Sequence, residues 1–214
     1  MKLPNDTRIA GAKTVAHWTE MRGRLTGGSD PAAWADAFDH FFKGRLESRY
    51  FEPIRAIDNL RQDSGEGFAI VVLHCSLIEF LAATLEGKIY RLPPKKGEPL
   101  LDCRTEYSSS RKMFVRFLEN YEPFKNMVSK QGTAEDFYGS VRCGLLHEAR
   151  TKGRWKIRVC ESATQAIDAD GKVVYRNKMQ AAFDQFVDWY GQQLPMDAQL
   201  QQAFIRKFDS LCDE

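Results

Sequence analysis

The sequence predicts a mainly α-helical protein, and the spacing of its apolar residues is the main reason. These residues recur at steps of three and four in several long segments, which is the spacing of one helix face. Alternation with a period of two, which is typical of a strand, is confined to residues 155–176. Strand–helix alternation and glycine-rich phosphate-binding motifs are both missing from the sequence, so a nucleotide-binding α/β fold is not indicated.

Length and composition fit one globular domain over residues 1–214. A chain of this length buries a core without disulfides or metal, and 43% hydrophobic with 28% charged residues argues against disorder and coiled coil. No apolar run approaches the roughly 18 residues of a membrane span, and no signal segment is recognisable. Five scattered cysteines without a Cys-x-x-Cys pair fit reduced thiols. We therefore expect a cytoplasmic protein with no membrane contact, no cofactor and no metal site.

The N-terminal part predicts an extension followed by an aromatic helix. A break at 27–30 precedes Pro31, and Asp30 is placed to cap a helix that begins there. Pro53 is expected to end this helix and to start a second short one. The apolar face of the first helix consists of Trp34, Ala37, Phe38, Phe41, Phe42 and Leu46.

A loop at 64–67 leads into the most apolar part of the chain, 68–85. Its length favours a buried helix, although the β-branched run 70–72 leaves a strand at its start as the alternative. Glu79 lies inside this apolar segment, where a carboxylate requires a partner or water.

The middle of the chain predicts a basic loop at 87–110 and two further helices. The loop is either a solvated surface segment or a flap that contacts phosphate. Residues 114–128 form a helical stripe that Pro123 bends or splits. Another helix begins at Thr133 as N-cap, with Asp136 in place of the usual Glu or Gln of a capping box.

The C-terminal third predicts a small inserted β-hairpin and two final helices. Residues 155–159 and 173–175 form the hairpin strands, with the Asp-Gly turn of 168–171 between them. The helices that follow are separated by Pro195.

Positive charge is concentrated at 141–158. The chain has 31 basic and 29 acidic residues, a net charge of +2. This segment alone carries +5 against −3 for the rest, which predicts that any nucleic-acid contact lies here. Its basic residues are Arg142, Arg150, Lys152, Arg154, Lys156 and Arg158, with Glu148 the one acidic residue.

Arg142 and His147 are the candidate catalytic pair. A guanidinium holds a phosphate in a planar fork, and an imidazole transfers protons near neutral pH. With RNA as substrate the nucleophile is the 2′-hydroxyl, so no metal or protein nucleophile is needed. On a regular helix five residues separate two side chains by about 140°, so a structural or capping role for the histidine is the alternative. A thiol nucleophile at Cys143, four residues before His147, is the other alternative.

The segment Arg142-Cys-Gly-Leu-Leu-His147 resembles the Arg-x4–6-His motif of the HEPN superfamily. The apolar run Cys75–Leu81 also resembles the earlier core helix of that family, which often carries an acidic or polar residue. The resemblance implies a dimeric helical bundle that cleaves RNA without metal, in toxin–antitoxin or phage defence. It implies catalytic roles for Arg142 and His147 and supporting roles for Glu79 and Cys143. RNA, a second copy of the chain and an antitoxin or other defence protein are the implied partners.

Two observations limit how far the resemblance to the HEPN superfamily extends. The resemblance covers 68–85 and 133–150, so the loop, the hairpin and the C-terminal helices are additions to a minimal domain of this type. Many active members carry a polar residue, often Asn, directly after the arginine, where this chain has Cys143. Non-catalytic members of the superfamily serve as binding modules, so a protein- or nucleotide-binding role is the competing expectation.

Overall fold

The computed structural model describes residues 1–25, 30–60 and 65–213 and confirms a mainly α-helical protein with short strand pairs. The helices are α1 (Val15–Arg24), α2 (31–58), α3 (Glu66–Glu86), α4 (Arg111–Asn120), α5 (Phe124–Met127), α6 (133–148), α7 (Arg176–Gln193) and α8 (Ala198–Ser210). The strands are β1 (Arg8–Ala10), β2 (Lys13–Thr14), β3 (Ile89–Tyr90), β4 (Glu106–Tyr107), β5 (Lys156–Arg158), β6 (Ile167–Asp168) and β7 (Val173–Tyr175).

The chain divides into two compact units, each built from separate stretches of sequence. Unit 1 comprises Met1–Glu52, Leu81–Ser110 and Trp189–Glu214. Unit 2 comprises Pro53–Phe80 and Arg111–Asp188, and it contains every residue predicted for the site. The single domain over residues 1–214 stays a prediction.

Unit 1 is held together by aromatic side chains. The Trp18 ring lies 5.1 Å from Phe41 and 5.3 Å from Phe208, and Phe42 lies 4.8 Å from Tyr190. The indole N–H of Trp18 donates a hydrogen bond of 2.8 Å to Asp209. The aromatic stripe predicted from the sequence is therefore core, and the indole N–H of Trp18, which packs against it, is satisfied.

Helix α2 begins as predicted but does not end at Pro53. Asp30 caps it by accepting a hydrogen bond of 3.1 Å from the backbone N–H of Ala32. Helical segments then follow one another without a break to residue 58, so the predicted second helix is wrong. The reason lies in the wider π-helical turn Glu47–Phe51, which comes directly before the segment containing Pro53. Where a helix changes type, the next backbone N–H groups have no regular hydrogen-bond acceptor. A proline at such a position, which has no N–H, therefore does not interrupt the helix.

Helix α3 confirms a helix rather than a strand in the apolar segment, and it corrects two expectations. The helix already includes Glu66 and Gly67, which were predicted as loop; Ser64 lies outside the described residues. With 21 residues, α3 is also long and apolar enough to cross a membrane, contrary to the sequence prediction. Of its most apolar window, 61% is buried within the structure, which is typical of a core helix.

Unit 2 packs its own aromatic core around α4, α5 and α7. The Phe117 ring lies 4.9 Å from Phe186, and the Phe124 ring lies 5.2 Å from Phe183. Pro123 separates α4 from α5, as predicted. The predicted cap at Thr133 is wrong, because Gly132, with φ of +80°, is the N-cap and Thr133 is the first helical residue.

The strand pairing near the C-terminus differs from the predicted hairpin. Strand β7 lies in the middle of a three-stranded sheet, parallel to β5 and antiparallel to β6. The Asp-Gly turn therefore joins β6 to β7, and the Asp168 carboxylate accepts the backbone N–H of Gly171 at 2.9 Å. Sequence reasoning missed β6 because it has only two residues, although Ile167 is fully buried.

The basic loop and the two C-terminal helices follow the sequence prediction, whereas β1, β2 and α1 in the N-terminal extension were not predicted. Residues 87–110 form a loop apart from the short parallel pair β3–β4. The two C-terminal helices α7 and α8 are present, and Asp197 caps α8 by accepting the N–H groups of Gln199 and Leu200.

The buried histidine of α3 gives a prediction about stability. His74 is fully buried against Phe183, and neither ring nitrogen has a hydrogen-bond partner in the described residues. Burial, reinforced by the positive charge of Arg176, lowers the pKa of His74 to about 3. The unfolded chain binds this proton at about pH 6.5, so between about pH 6.5 and 3 the unfolded state binds more protons than the folded state.

The free energy of unfolding should therefore fall as the pH falls through that range, by up to about 1.4 kcal/mol per pH unit from this group. Urea titrations of the wild type and His74→Leu at pH 7, 6 and 5 measure the difference. We expect the wild type to lose more stability than the variant at each step. Parallel pH curves would show that His74 takes up its proton equally in both states.

Candidate functional site

Helix α6 carries both members of the candidate pair. Its middle part, Phe137–Arg142, is a π-helical turn that ends at Arg142. His147 lies in the last helical turn, before Ala149 ends the helix in the left-handed conformation with φ of +52°. Phe137, Val141 and Leu145 face the core.

The guanidinium of Arg142 is held by three neighbours. Its Nη2 donates a hydrogen bond of 3.1 Å to Oε2 of Glu79, and its Cζ lies 5.3 Å from the centre of the Tyr138 ring. Burial opposes the charge, but the electrostatic effects of Tyr138 and Glu79, with a hydrogen bond to Cys143, raise the pKa of Arg142 overall. Arg142 is therefore the partner that the sequence required for Glu79, and it remains charged.

His147 has a different environment from Arg142. Its side chain is exposed, and its imidazole makes no hydrogen bond with any residue in the described ranges. Because five residues turn a regular helix by about 140° beyond a full turn, the two side chains leave the helix in different directions. Within one copy, the helix provides both groups, and no hydrogen bond joins their side chains in the described residues.

Cys143 lies close to both Arg142 and His147. It follows Arg142 directly and contacts its guanidinium, and it lies four residues before His147, on the same helix face. Its thiol is half-buried. The predicted supporting residues Glu79 and Cys143 therefore both meet Arg142.

The predicted basic residues fall into two groups. Arg150 and Lys152 both pair with Glu148, at 3.2 Å and 2.5 Å. Their charge is thus partly compensated. In contrast, Arg154, Lys156 and Arg158 are exposed and form no ion pair within the described part of the chain. Among the predicted basic residues, these three therefore carry the charge that is uncompensated and exposed.

The residues that follow α6, 150–158, carry most of the predicted basic side chains and pack directly onto that helix. A Cβ atom at Gly144 would lie 2.5 Å from the carbonyl oxygen of Arg150, so only glycine permits this approach. The backbone N–H of Lys152 also donates to the carbonyl of Ser140 at 2.8 Å. The glycine of the motif therefore sets the position of the basic segment relative to the helix.

Asp136 fixes the same arrangement, a role that its predicted place in a capping box did not indicate. Its carboxylate accepts hydrogen bonds from Ser140 Oγ at 2.7 Å, Trp155 Nε1 at 3.0 Å and Lys172 Nζ at 3.0 Å. Burial acts against ionisation, yet these three donors lower the pKa of Asp136 overall. The Trp155 ring lies 5.6 Å from Phe137, so the start of β5 is anchored to α6 by both polar and apolar contacts.

The described ranges hold no group of three or more His, Cys, Asp or Glu residues that could bind a metal ion. No family model matches the chain, and no curated protein or solved structure is significantly similar to it.

Proposed function

We propose that this protein is a metal-independent endoribonuclease of the HEPN type, with Arg142 and His147 as its catalytic residues. The observation that carries the proposal is that one helix holds a charged arginine, oriented by Glu79, and exposes an unpartnered histidine beside a basic segment. These are the groups that cleavage of RNA through its own 2′-hydroxyl requires.

In the proposed reaction the 2′-oxygen attacks the neighbouring phosphorus, and the bond from phosphorus to the 5′-oxygen breaks. His147 acts as general base for the 2′-hydroxyl proton or as general acid for the leaving 5′-oxygen, and solvent exchanges the other proton, so that one proton leaves the 2′-oxygen and one reaches the 5′-oxygen. Arg142 donates hydrogen bonds to the non-bridging oxygens, where negative charge grows in the transition state. The products are a 2′,3′-cyclic phosphate and a free 5′-hydroxyl, so no water or external nucleophile is consumed.

We further propose that the protein acts as a homodimer. Arg142 and His147 leave α6 in different directions, and a second copy would supply the complementary group to each of them. Leu146 lies between them in sequence and is 47% exposed, which provides an apolar contact for such an interface. An antitoxin or other defence protein in the bacterial cytoplasm is the further partner that the HEPN resemblance implies.

Arg154, Lys156 and Arg158 are proposed to bind the RNA backbone. Lys156 and Arg158 are two residues apart on β5, so they project from the same face of the strand. Asp136 and Gly144 position the chain that leads into β5 against α6, the helix that carries the catalytic pair. Arg150 and Lys152, which pair with Glu148, contribute less.

The proposal is tested by incubating the purified protein with end-labelled single-stranded RNA in EDTA. We expect cleavage that leaves 2′,3′-cyclic phosphate ends, and a dimer mass by light scattering. Cleavage that requires added Mg²⁺, or products with a 3′-hydroxyl, would contradict the mechanism. RNA of the same sequence with 2′-deoxy sugars throughout serves as the control and should remain intact.

The second candidate is a non-catalytic HEPN-like module that binds a protein or a nucleotide. The specific observation in its favour is that Arg142 is already paired within the chain and is followed by Cys143. Salt-sensitive RNA binding without cleavage would favour this candidate.

A further inference from the structure

A second arginine, from α4, contacts the polar face of α6 that leads to Arg142. Glu135, Tyr138 and Arg142 follow one another along the helix at steps of three and four residues, and we call this row of side chains the ridge. Within its π-helical part Tyr138 and Arg142 stay in contact, since the Cζ atom of Arg142 lies 5.3 Å from the centre of the Tyr138 ring. Arg111, the first residue of α4, donates from Nε to Oε2 of Glu135 at 2.8 Å. Arg111 therefore lies at one end of this ridge, and Arg142 lies at the other.

Contacts between α4 and α6 fix the position of Arg111 relative to Tyr138. Phe114 follows Arg111 by three residues, which places both on one face of α4. The Phe114 ring lies 5.2 Å from the Tyr138 ring in an edge-to-face contact. Tyr138 in turn lies against the guanidinium of Arg142. Glu135 and Arg142 are seven positions apart, so at most about 10 Å of helix axis separates them.

The two arginines share a mode of support. Each guanidinium is held by a carboxylate from another part of unit 2: Glu135 for Arg111 and Glu79 for Arg142. Arg111 uses its Nε for this contact, and its Nη groups make no other hydrogen bond within the described ranges. Its side chain is 61% exposed, so the planar fork of Nη groups is open to a ligand.

We propose that Arg111 binds a second phosphate of the RNA while Arg142 binds the scissile one. The inference rests on the proposed function, and it defines the substrate as a strand with a phosphate beyond the cleaved bond. A dinucleoside monophosphate has a single phosphate, so it can contact Arg142 but offers no second phosphate to Arg111. Arg111 is a specificity-determining residue in this scheme, since it does not reach the reacting atoms.

Cleavage of two substrates in EDTA tests the proposal. The first is a dinucleoside monophosphate, and the second is the same step extended by one nucleotide on each side. For the wild type we expect kcat/KM to be higher on the extended substrate. Arg111→Ala should reduce this preference about tenfold, which is the loss of one charge-assisted hydrogen-bonded contact. Lys112→Ala is the matched control, because it removes an exposed positive charge from the adjacent residue and should leave the preference unchanged.

Methylphosphonate substitution identifies the phosphate that Arg111 contacts. Neutralising that phosphate should slow the wild type and Lys112→Ala about tenfold and have little further effect on Arg111→Ala. Binding of a 2′-deoxy analogue gives an independent measurement. The slope of log affinity against log salt should become shallower by about 0.7 in Arg111→Ala.

The possible results separate this inference from the proposed function. If the wild type cleaves RNA and Arg111→Ala matches Lys112→Ala on every substrate, the inference fails and the nuclease function stands. If RNA binds with the Arg111-dependent salt slope but is not cleaved, the phosphate contact stands and the nuclease function fails. If the wild type neither binds nor cleaves RNA, both are overturned.

Discussion

Replacing His147 by alanine should lower the rate of RNA cleavage in EDTA by about 100-fold to 10,000-fold, which is the usual contribution of general acid–base catalysis. The imidazole is exposed and has no partner in the described residues, so the fold does not depend on it. The free energy of unfolding should therefore stay within about 0.5 kcal/mol of the wild type. Single-turnover rates and urea titrations on the same preparation measure the two effects.

The histidine control is His40→Ala. His40 is also an exposed helical histidine, but it lies in unit 1 and pairs with Asp36 at 3.0 Å. This variant should cleave RNA at the wild-type rate. If His147→Ala also keeps the wild-type rate, His147 is not the acid or base. If it loses activity together with several kcal/mol of stability, its role is structural.

The second large effect is expected from the Arg142–Glu79 pair. Both side chains are about one-fifth exposed, so removing one partner leaves a charge that is poorly hydrated and unpaired. Glu79→Leu should lower the free energy of unfolding by about 2 kcal/mol. The double variant Arg142→Met/Glu79→Leu should recover most of that loss, because two apolar side chains leave no unpaired charge.

The Arg111–Glu135 pair provides the comparison for this double-mutant cycle. Its side chains are 61% and 46% exposed, so its coupling energy should be about 0.5 kcal/mol or less. Urea denaturation of the four variants of each pair yields both coupling energies. Equal couplings in the two cycles would contradict the view that burial makes Glu79 the positioning partner of Arg142.

The sequence predicted features that depend on near neighbours. Residues three and four apart define a helix face without reference to the rest of the chain, which is why the long helices and the cap at Asp30 are confirmed. The unusual carboxylate of Glu79 also indicated that a partner must exist. The partner itself was not predictable, because 63 residues separate Glu79 from Arg142.

Features that depend on contacts between distant residues were predicted wrongly or were missed. Parallel pairing of β5 with β7 requires the chain between them to return, and local alternation contains no information about that. Asp136 was assigned to a local cap, whereas its donors come from Ser140, Trp155 and Lys172. Arg111 joins the ridge of Glu135, Tyr138 and Arg142 only through the packing of α4 on α6, which no local spacing indicates.

The central claim is that Arg142 and His147 act together on one phosphate. Single-turnover cleavage of RNA in EDTA by the wild type, Arg142→Ala, His147→Ala and the double variant measures this directly. Residues that act as a unit have strongly non-additive effects, so the double variant should be about as slow as the slower single variant. Losses that multiply in the double variant, or single variants that retain the wild-type rate, would contradict the claim.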